Sequence, residues 1–408
     1  MKIFTLLTLC IFLSFIATTS CTKNANEEPG NFSGISNNSN SAHPTATGNF
    51  FGVLTNAAYS KQTPKASDTL TLLSFEKKLE LASYYGVKYI RMSITHDAWV
   101  ASNGSKNFID NFQTACNEGF SVLLNVNYNA PSLHGAQNFA STAEYGNFLT
   151  SVLNSISARD PNLKPALVVV ENEEANPVYY INNTTSTVDS YVNLLKTAIA
   201  ICAPRSIKVT NGGITSYLLT LATWDWLRTK YGSSAANTWA SNVMAPNFYS
   251  TINSTLMANY ITLAKYTINK YSSLPLSYVN IHWYEPLKAS QFAANRLGNP
   301  YFSAYSIDST QITAGALDSC VSYLNASFNH ISVITNETGQ LSKSNRLTSS
   351  ILRKYINYQA TSANFPIVSW YDGDGGGVNN AIALHNAIST DSFTVRSSGL
   401  SFHNHLQQ

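Results

Sequence analysis

Beyond residue 49 the chain alternates short apolar runs with amphipathic stretches, and this alternation limits the fold more than any other feature. "FFGVLTN" reads as a strand. "TLLSFEKKLELASYYG" follows it, with Leu72, Phe75, Leu79 and Ala82 on one helical face and Gly86 as the stop. "VKYIRMS" is the second strand. "FIDNFQTACNEG" repeats the helix, with Phe108, Phe112 and Ala115 facing inward and Gly119 ending it, and "FSVLLNVN" is the third strand. Further strands fall near 166–171, 206–211, 277–283, 331–335 and 366–370, with helical stretches near 140–157, 185–202, 310–325 and 344–359. A longer insertion at 214–275, rich in Trp, Tyr and Leu, reads as several helices between the fifth and sixth strands. Eight strands alternating with helices close naturally into an α/β fold, a (β/α)8 TIM barrel, with residues 49–408 as one domain. A doubly wound open sheet is the alternative closure for the same series.

The first residues belong to another kind of segment. Lys2 precedes an apolar run through Ile16, and small residues lead through "ATTSC" to Cys21. This resembles a bacterial lipoprotein signal, with residues 1–20 as the signal peptide and Cys21 as the lipidated first residue of the mature chain. Thr18 stands where that motif prefers Leu, and an ordinary secretory signal cut near Ser20 is the other reading. The run is too short for an uncleaved membrane helix, which needs about 20 apolar residues. Residues 21–48 are Asn, Ser, Thr, Gly and Pro with little to bury, which reads as a disordered tether. The expected location is the cell envelope, lipid-anchored at the outer membrane or cell surface. Cys116, Cys202 and Cys320 remain in the body of the chain, without a CxxC pair or a disulfide framework, and read as buried thiols.

A formal net charge of +3 with 12% charged residues offers no basic patch for nucleic acid. Scarce charge makes its placement informative. Of 22 acidic residues, Glu171, Glu173 and Glu174 sit together at the end of the apolar run "ALVVV". In a barrel the active site lies at the carboxyl ends of the strands, so the residues ending each strand are the candidates. The second strand carries Arg91, then His96 and Asp97; the third ends in Asn125 and Asn127, the fifth in Asn211. The sixth offers His282, Trp283 and Tyr284, the seventh Asn336 and Glu337, the eighth Trp370, Tyr371 and Asp372. Carboxylates therefore lead from strands four and seven. Two carboxyl groups facing each other across a barrel mouth can cut a glycosidic bond, one protonated to assist the leaving oxygen and one ionised to attack the sugar carbon.

"VVVENEEANP" and "VITNETG" resemble the strand ends of clan A glycoside hydrolases, retaining enzymes on this barrel. The resemblance implies that Glu173, after Asn172, is the acid/base and Glu337 the nucleophile. It implies that Arg91 keeps the nucleophile ionised, that the His-x-Tyr of His282 and Tyr284 sets the tyrosine against it, and that Trp370 lies beneath the cleaved sugar. Asn127 is a candidate for a substrate hydroxyl, with backbone satisfaction as its other use. Glu171 and Glu174 compete with Glu173 for the acid role.

The expected partner is a β-linked oligo- or polysaccharide; membrane contact is through the lipid anchor only, and no nucleic acid is implied. No cofactor is expected, since no phosphate loop, dinucleotide fingerprint or His-Glu-x-x-His motif occurs. No metal is expected either: "DGDGGG" at 372–377 lacks the fifth- and twelfth-position ligands of a helix–loop–helix calcium site, and His403 and His405 sit at an end expected to fray. A non-catalytic glycan-binding lipoprotein on a degenerate barrel is the competing function. A lyase or aldolase wants a strand-end lysine, and Lys88 and Lys208 lie inside strands.

Overall fold

Nine short strands pair in one parallel sheet: β1 (Phe51–Leu54), β2 (Tyr89–Thr95), β3 (Ser121–Asn127), β4 (Leu167–Val170), β5 (Lys208–Asn211), β6 (Ile214–Thr215), β7 (Val279–Glu285), β8 (Val333–Gln340) and β9 (Val368–Trp370). Their order is β5-β4-β3-β2-β1-β9-β8-β7-β6. The two ends of that order, β5 and β6, are neighbours in the chain, separated only by Gly212 and Gly213. The order therefore runs round a ring, and the molecule is an eight-stranded TIM barrel with one strand broken in two. At the break side chains replace part of the ladder: the Asn280 backbone N–H donates to Asn211 Oδ1 at 2.8 Å, and Asn211 Nδ2 donates to the Asn280 carbonyl at 2.9 Å. This computed structural model describes residues 51–54, 73–128, 138–176, 180, 184–243, 255–285, 316–329, 331–340, 345–362, 364–372 and 383–407. The signal segment, Cys21, the tether, Leu72 and residues 373–377 of the Gly-rich run lie outside them.

The outer layer is α1 (Phe75–Tyr85), α2 (His96–Val100), α3 (Gly104–Asn117), α4 (Thr142–Arg159), α5 (Thr185–Cys202), α6 (Ser216–Tyr231), α7 (Ser233–Val243), α8 (Thr255–Ser272), α9 (Ala316–Phe328) and α10 (Asn345–Thr361). Local chemistry starts and stops them. Ser74 accepts from the Lys77 N–H to open α1, and Gly86, at φ 74°, ends it in the left-handed conformation a side chain resists. Ser141 and Glu144 form a reciprocal capping box on α4. The insertion opens with β6 and is otherwise helical, as its composition suggests, with α6, α7 and α8 among the described residues.

Strand periodicity sorts the core into two parts. Ile90, Met92, Ile94, Val122, Leu124, Val126, Val168 and Val170 point outward and pack under the helices. Leu123, Leu167, Val169, Ile334 and Ile367 form a separate apolar plug inside the ring. Above that plug the interior turns polar, with Arg91, Asn125, Asn211, Asn280 and Asn336 all buried.

The carboxyl end differs from expectation. It does not fray: an antiparallel hairpin, β10 (His385–Ser389) and β11 (Ser392–Val395), leads into α11 (Ser397–Leu406). Phe402 packs edge-on to Tyr85 at 5.4 Å, and His403 stacks on Tyr84 at 4.4 Å while its Nδ1 donates to the Tyr84 carbonyl at 2.6 Å. Apolar burial and one hydrogen bond outweigh the terminal position.

Candidate active site

Two strand ends deliver a glutamate each by different backbone devices. β8 carries one residue more than either neighbour: Ile334 faces Asn280 but Glu337 faces His282, and Thr335 faces Val368 but Thr338 faces Trp370. Such a bulge re-aims side chains, so Asn336 and Glu337 both enter the barrel although adjacent residues of a regular strand point apart. At β4 the strand stops and the chain turns through left-handed residues, Glu171 at φ 60° and Glu173 at φ 47°. The two carboxylates meet over the barrel axis. One oxygen of each and a ring nitrogen of His282 all lie within 4.8 Å of one another.

Charge surrounds Glu337. Arg91 Nη1 donates to its Oε2, and the Tyr284 hydroxyl donates to Oε1 at 2.6 Å. Burial alone pushes this carboxyl up, but the neighbouring His282 and Arg91 charges and the bonds from Tyr284 and Arg91 outweigh it, so its pKa is lowered. Arg91 is itself only 3% exposed and is fully engaged, donating through Nε to Asn125 Oδ1 at 3.1 Å and through Nη2 to Asn172 Oδ1 at 2.6 Å.

Glu173 has gentler company. Asn176 Nδ2 donates to its Oε2 at 2.6 Å, and His282 Nδ1 lies 3.0 Å from its Oε1. The protonation of that imidazole follows from a chain of amides anchored on a group that can only donate. Arg91 forces Asn125 to present Oδ1, which also accepts from Asn336 Nδ2 at 2.9 Å. Asn336 must then offer Oδ1 to Asn280 Nδ2 at 2.6 Å and to His282 Nε2 at 2.8 Å. Nε2 therefore carries a hydrogen, and Nδ1 of the neutral ring turns its lone pair to Glu173. Burial opposes charge on His282, but Glu337 and the bond and charge of Glu173 prevail and raise its pKa. A proton can be shared along Glu173–His282.

The flanking acids do not enter the mouth. Glu171 Oε1 accepts from the Tyr128 N–H and Oε2 from the Tyr180 hydroxyl, both at 3.0 Å. Burial pushes its pKa up to about 7. Glu174 Oε1 accepts from Tyr271 at 2.7 Å and from Asn211 at 3.1 Å, while Oε2 has no hydrogen-bond partner among the described residues. Of the three acids in "ENEE", only Glu173 reaches Glu337.

Arg91, Asn172, Glu173, His282, Tyr284 and Glu337 thus converge. Asn127 joins through Asn125, whose Nδ2 donates to its Oδ1 at 3.0 Å. Trp370 does not converge, which corrects the expectation. It shares strand parity with outward-facing Val368, is fully buried, and packs against Phe402 at 5.5 Å on the helix side. Tyr371, of opposite parity, is half-buried, and after burial and Glu337 it contributes to the raised pKa of Tyr284. The strand-end aromatic near the mouth is therefore Tyr371.

Sequence reading also missed Asn280, Asn176 and Gly213. Asn280 was findable, since Asn280, His282 and Tyr284 alternate along one strand face. Gly213 was not: an added Cβ would lie 2.2 Å from His282 Cδ2, a contact visible only in three dimensions. The Glu173–His282–Glu337 trio offers three ligand atoms to a cation. A cation bound there would face the Arg91 guanidinium that already holds Glu337 Oε2, so the donor set suits protons better than a metal.

No family model and no curated protein matches this sequence. Solved structures do match. The fold is similar to that of a GH1 β-glucosidase from Exiguobacterium antarcticum B7, at 13% identity over 88% of this chain and 98% of that one, with a TM-score of 0.54. It is similar to a fungal β-1,4-galactanase structure at 12% identity, over 87% and 98% of the chains, with a TM-score of 0.50. An exo-β-1,4-mannosidase, Op5Man5 from Opitutaceae bacterium strain TAV5, matches at 11% identity over 88% of this chain and 59% of its own, with a TM-score of 0.51. At these identities the likeness establishes the barrel fold.

Proposed function

We propose that this chain is a retaining glycoside hydrolase of the clan A type, cleaving a β-linked glycan through a covalent glycosyl-enzyme intermediate. One observation carries the reading: two carboxylates converge over the barrel axis, one gripped by a guanidinium and a phenol, the other by an amide and an imidazole. Glu337, held ionised by Arg91 and Tyr284, attacks the anomeric carbon. Glu173 gives its proton to the departing oxygen, then takes one from water as the glycosyl–Glu337 ester is cleaved, restoring both groups. Carboxyl groups about 5–5.5 Å apart support retention, and the short span across Glu173, His282 and Glu337 fits that spacing. A protein that only binds glycans needs no such asymmetry. The fold neighbours, which include a β-glucosidase and a β-1,4-galactanase by name, support a β-linked carbohydrate as substrate.

The test is chemical rescue on a panel of β-glycosides. Glu337→Ala is expected to be inactive on every substrate, because no intermediate can form. Glu173→Ala is expected to retain its first step on an activated aryl glycoside, which leaves without protonation, and added azide to restore turnover as a β-glycosyl azide. An α-configured azide would overturn double displacement. Rescue in Glu171→Ala or Glu174→Ala, with Glu173→Ala unimpaired, would assign the acid elsewhere.

The proposal extends to location: Cys21 is lipidated and tethers the barrel to the cell envelope. Cys21→Ala should move the protein from the membrane to the soluble fraction; palmitate labelling that persists in this variant would count against it.

A further inference from the structure

The loop that carries Glu173 is held in an unfavourable shape. Glu171 and Glu173 both lie in the left-handed region without being glycine, a shape that side chains disfavour and that persists only where the surroundings enforce it. Buried tyrosines surround this segment. Tyr191 donates to the Val170 carbonyl at 2.7 Å and accepts from the Gly212 N–H at 2.9 Å, pinning β4 to β5 where the strand breaks. Tyr145 donates to the Val126 carbonyl at 3.2 Å, and Tyr271 holds Glu174. Tyr180 does something different. Its hydroxyl donates to Glu171 Oε2 at 3.0 Å, at the start of the left-handed turn. Glu171 lies two residues before Glu173, and both are left-handed. The Tyr180 ring is 4% exposed and stacked on Phe139 at 4.3 Å, so its hydroxyl has little freedom to go elsewhere.

We infer that Glu171 and Tyr180 are positioning residues for the acid/base. The Tyr180 hydroxyl grips the Glu171 carboxylate, a relay that fixes the left-handed turn carrying Glu173 to His282. This rests on reading Glu173 as the acid/base. Neither residue touches substrate; both act through the distance from Glu173 to the glycosidic oxygen. Glu171 is anchored at its other end by the Tyr128 N–H, so the relay ties the turn to the end of β3. Two of the three acids of "ENEE" are then accounted for: one works in the mouth and one braces the loop that holds it there.

A positioning role leaves a mark that a general structural role does not. Displacing the acid slows only reactions that need a proton, so the loss depends on the leaving group. Tyr180→Phe keeps the ring and deletes the hydroxyl that holds Glu171. For the sugar that wild type turns over, kcat/KM on the alkyl β-glycoside should fall by about tenfold or more. On the dinitrophenyl β-glycoside it should change by less than about twofold, since that group departs unprotonated. Glu171→Gln, which retains one acceptor oxygen of the two, should show the same split to a smaller extent and serves if Tyr180→Phe folds poorly. Equal loss on both substrates, or loss on neither, overturns the inference. Glu173→Ala run in parallel separates the two readings. If it shows the split and neither Tyr180→Phe nor Glu171→Gln does, the relay falls and the acid assignment stands. If Glu173→Ala shows no split, the acid assignment falls and takes the relay with it.

Discussion

The exits of β4 and β8 present the same residue to the same cavity and treat it in opposite ways. Glu337 sits within the strand, brought inward by a bulge, and is gripped by its side chain: a guanidinium, a phenol and a nearby imidazole all favour its charge. Glu173 sits beyond its strand, on two left-handed residues, and is gripped mainly through its backbone, with only an amide and a titrating imidazole at its carboxyl group. The acids of the β4 exit that are fully buried, Glu171 and Glu174, have raised pKa values because burial dominates there. One exit surrounds its glutamate with positive charge, and the other holds its glutamate by the shape of the backbone. On the proposed reading, that division suits an acid and a nucleophile working together.

Removing the positive charge breaks the contrast most severely. Arg91→Met leaves Glu337 buried with a neutral neighbour, so its pKa must rise and the protonated, unreactive form persists to higher pH. The expected result is a loss of about 10²–10³-fold in kcat/KM at neutral pH. The acid limb of the pH–rate profile should move upward, while Asn172, Asn125 and Asn336 lose a shared donor. An unmoved acid limb would mean that something other than Arg91 keeps Glu337 ionised.

Disturbing the shape side has a smaller and more selective effect. Gly213 lies at φ 125°, and a Cβ there would come within 2.2–2.3 Å of His282 Cδ2 and Nε2. Gly213→Ala therefore strains the break between β5 and β6 by about 1–3 kcal/mol. It also pushes the imidazole off Asn336 and Glu173. Arg91 and Tyr284 are left in place on Glu337. Turnover of poor leaving groups should fall roughly tenfold with KM little changed. The basic limb, which reports the acid, should shift. A loss shared equally by activated substrates would show that the glycine serves the fold and not the His282 seat.

How much of this was legible in the sequence depends on whether an effect is local. The strand–helix alternation, the stop at Gly86 and the helical insertion were readable because each is set by residues a few positions apart. The convergence of Glu173 and Glu337 was readable only through their place at strand ends, since a barrel brings those ends together whatever lies between. Trp370 was misplaced because the resemblance matched it to a strand-end aromatic beneath the sugar, whereas parity assigns it to the helix side with Val368 and leaves Tyr371 for the mouth. The amide chain from Arg91 through Asn125 and Asn336 to His282 joins residues from β2, β3, β8 and β7, and no spacing in the chain encodes it. The phenols of Tyr180, Tyr191 and Tyr271 look like ordinary helix and loop aromatics until their hydroxyl partners are seen.

The smallest effect sharpens the comparison, because it concerns stability and opposes the two exits in sign. Glu171 has a folded pKa raised to about 7 from an ordinary 4.5, chiefly by burial, against the bonds from Tyr128 and Tyr180 and with a further upward push from Glu174. The folded protein thus holds a proton there that the unfolded chain releases. The stability gained is fully present below about pH 4.5 and is lost as pH rises through about 7. Glu337 behaves oppositely: its folded pKa is lowered, so its contribution is present above the ordinary carboxylate pKa and disappears as pH falls. His282, with a raised pKa, contributes below 6.5 and loses that contribution at higher pH. Glu171→Gln mimics the protonated acid at every pH and removes one of these three terms. Urea unfolding of wild type and Glu171→Gln at pH 5 and pH 8 should therefore show the variant gaining on wild type by roughly 1–3 kcal/mol between the two conditions. Taking the difference between the two proteins cancels the contributions of Glu174, Glu337 and His282, which both retain. A variant that loses ground as pH rises would mean that the phenol and peptide donors, not burial, govern Glu171. The β4 exit would then favour charge as the β8 exit does.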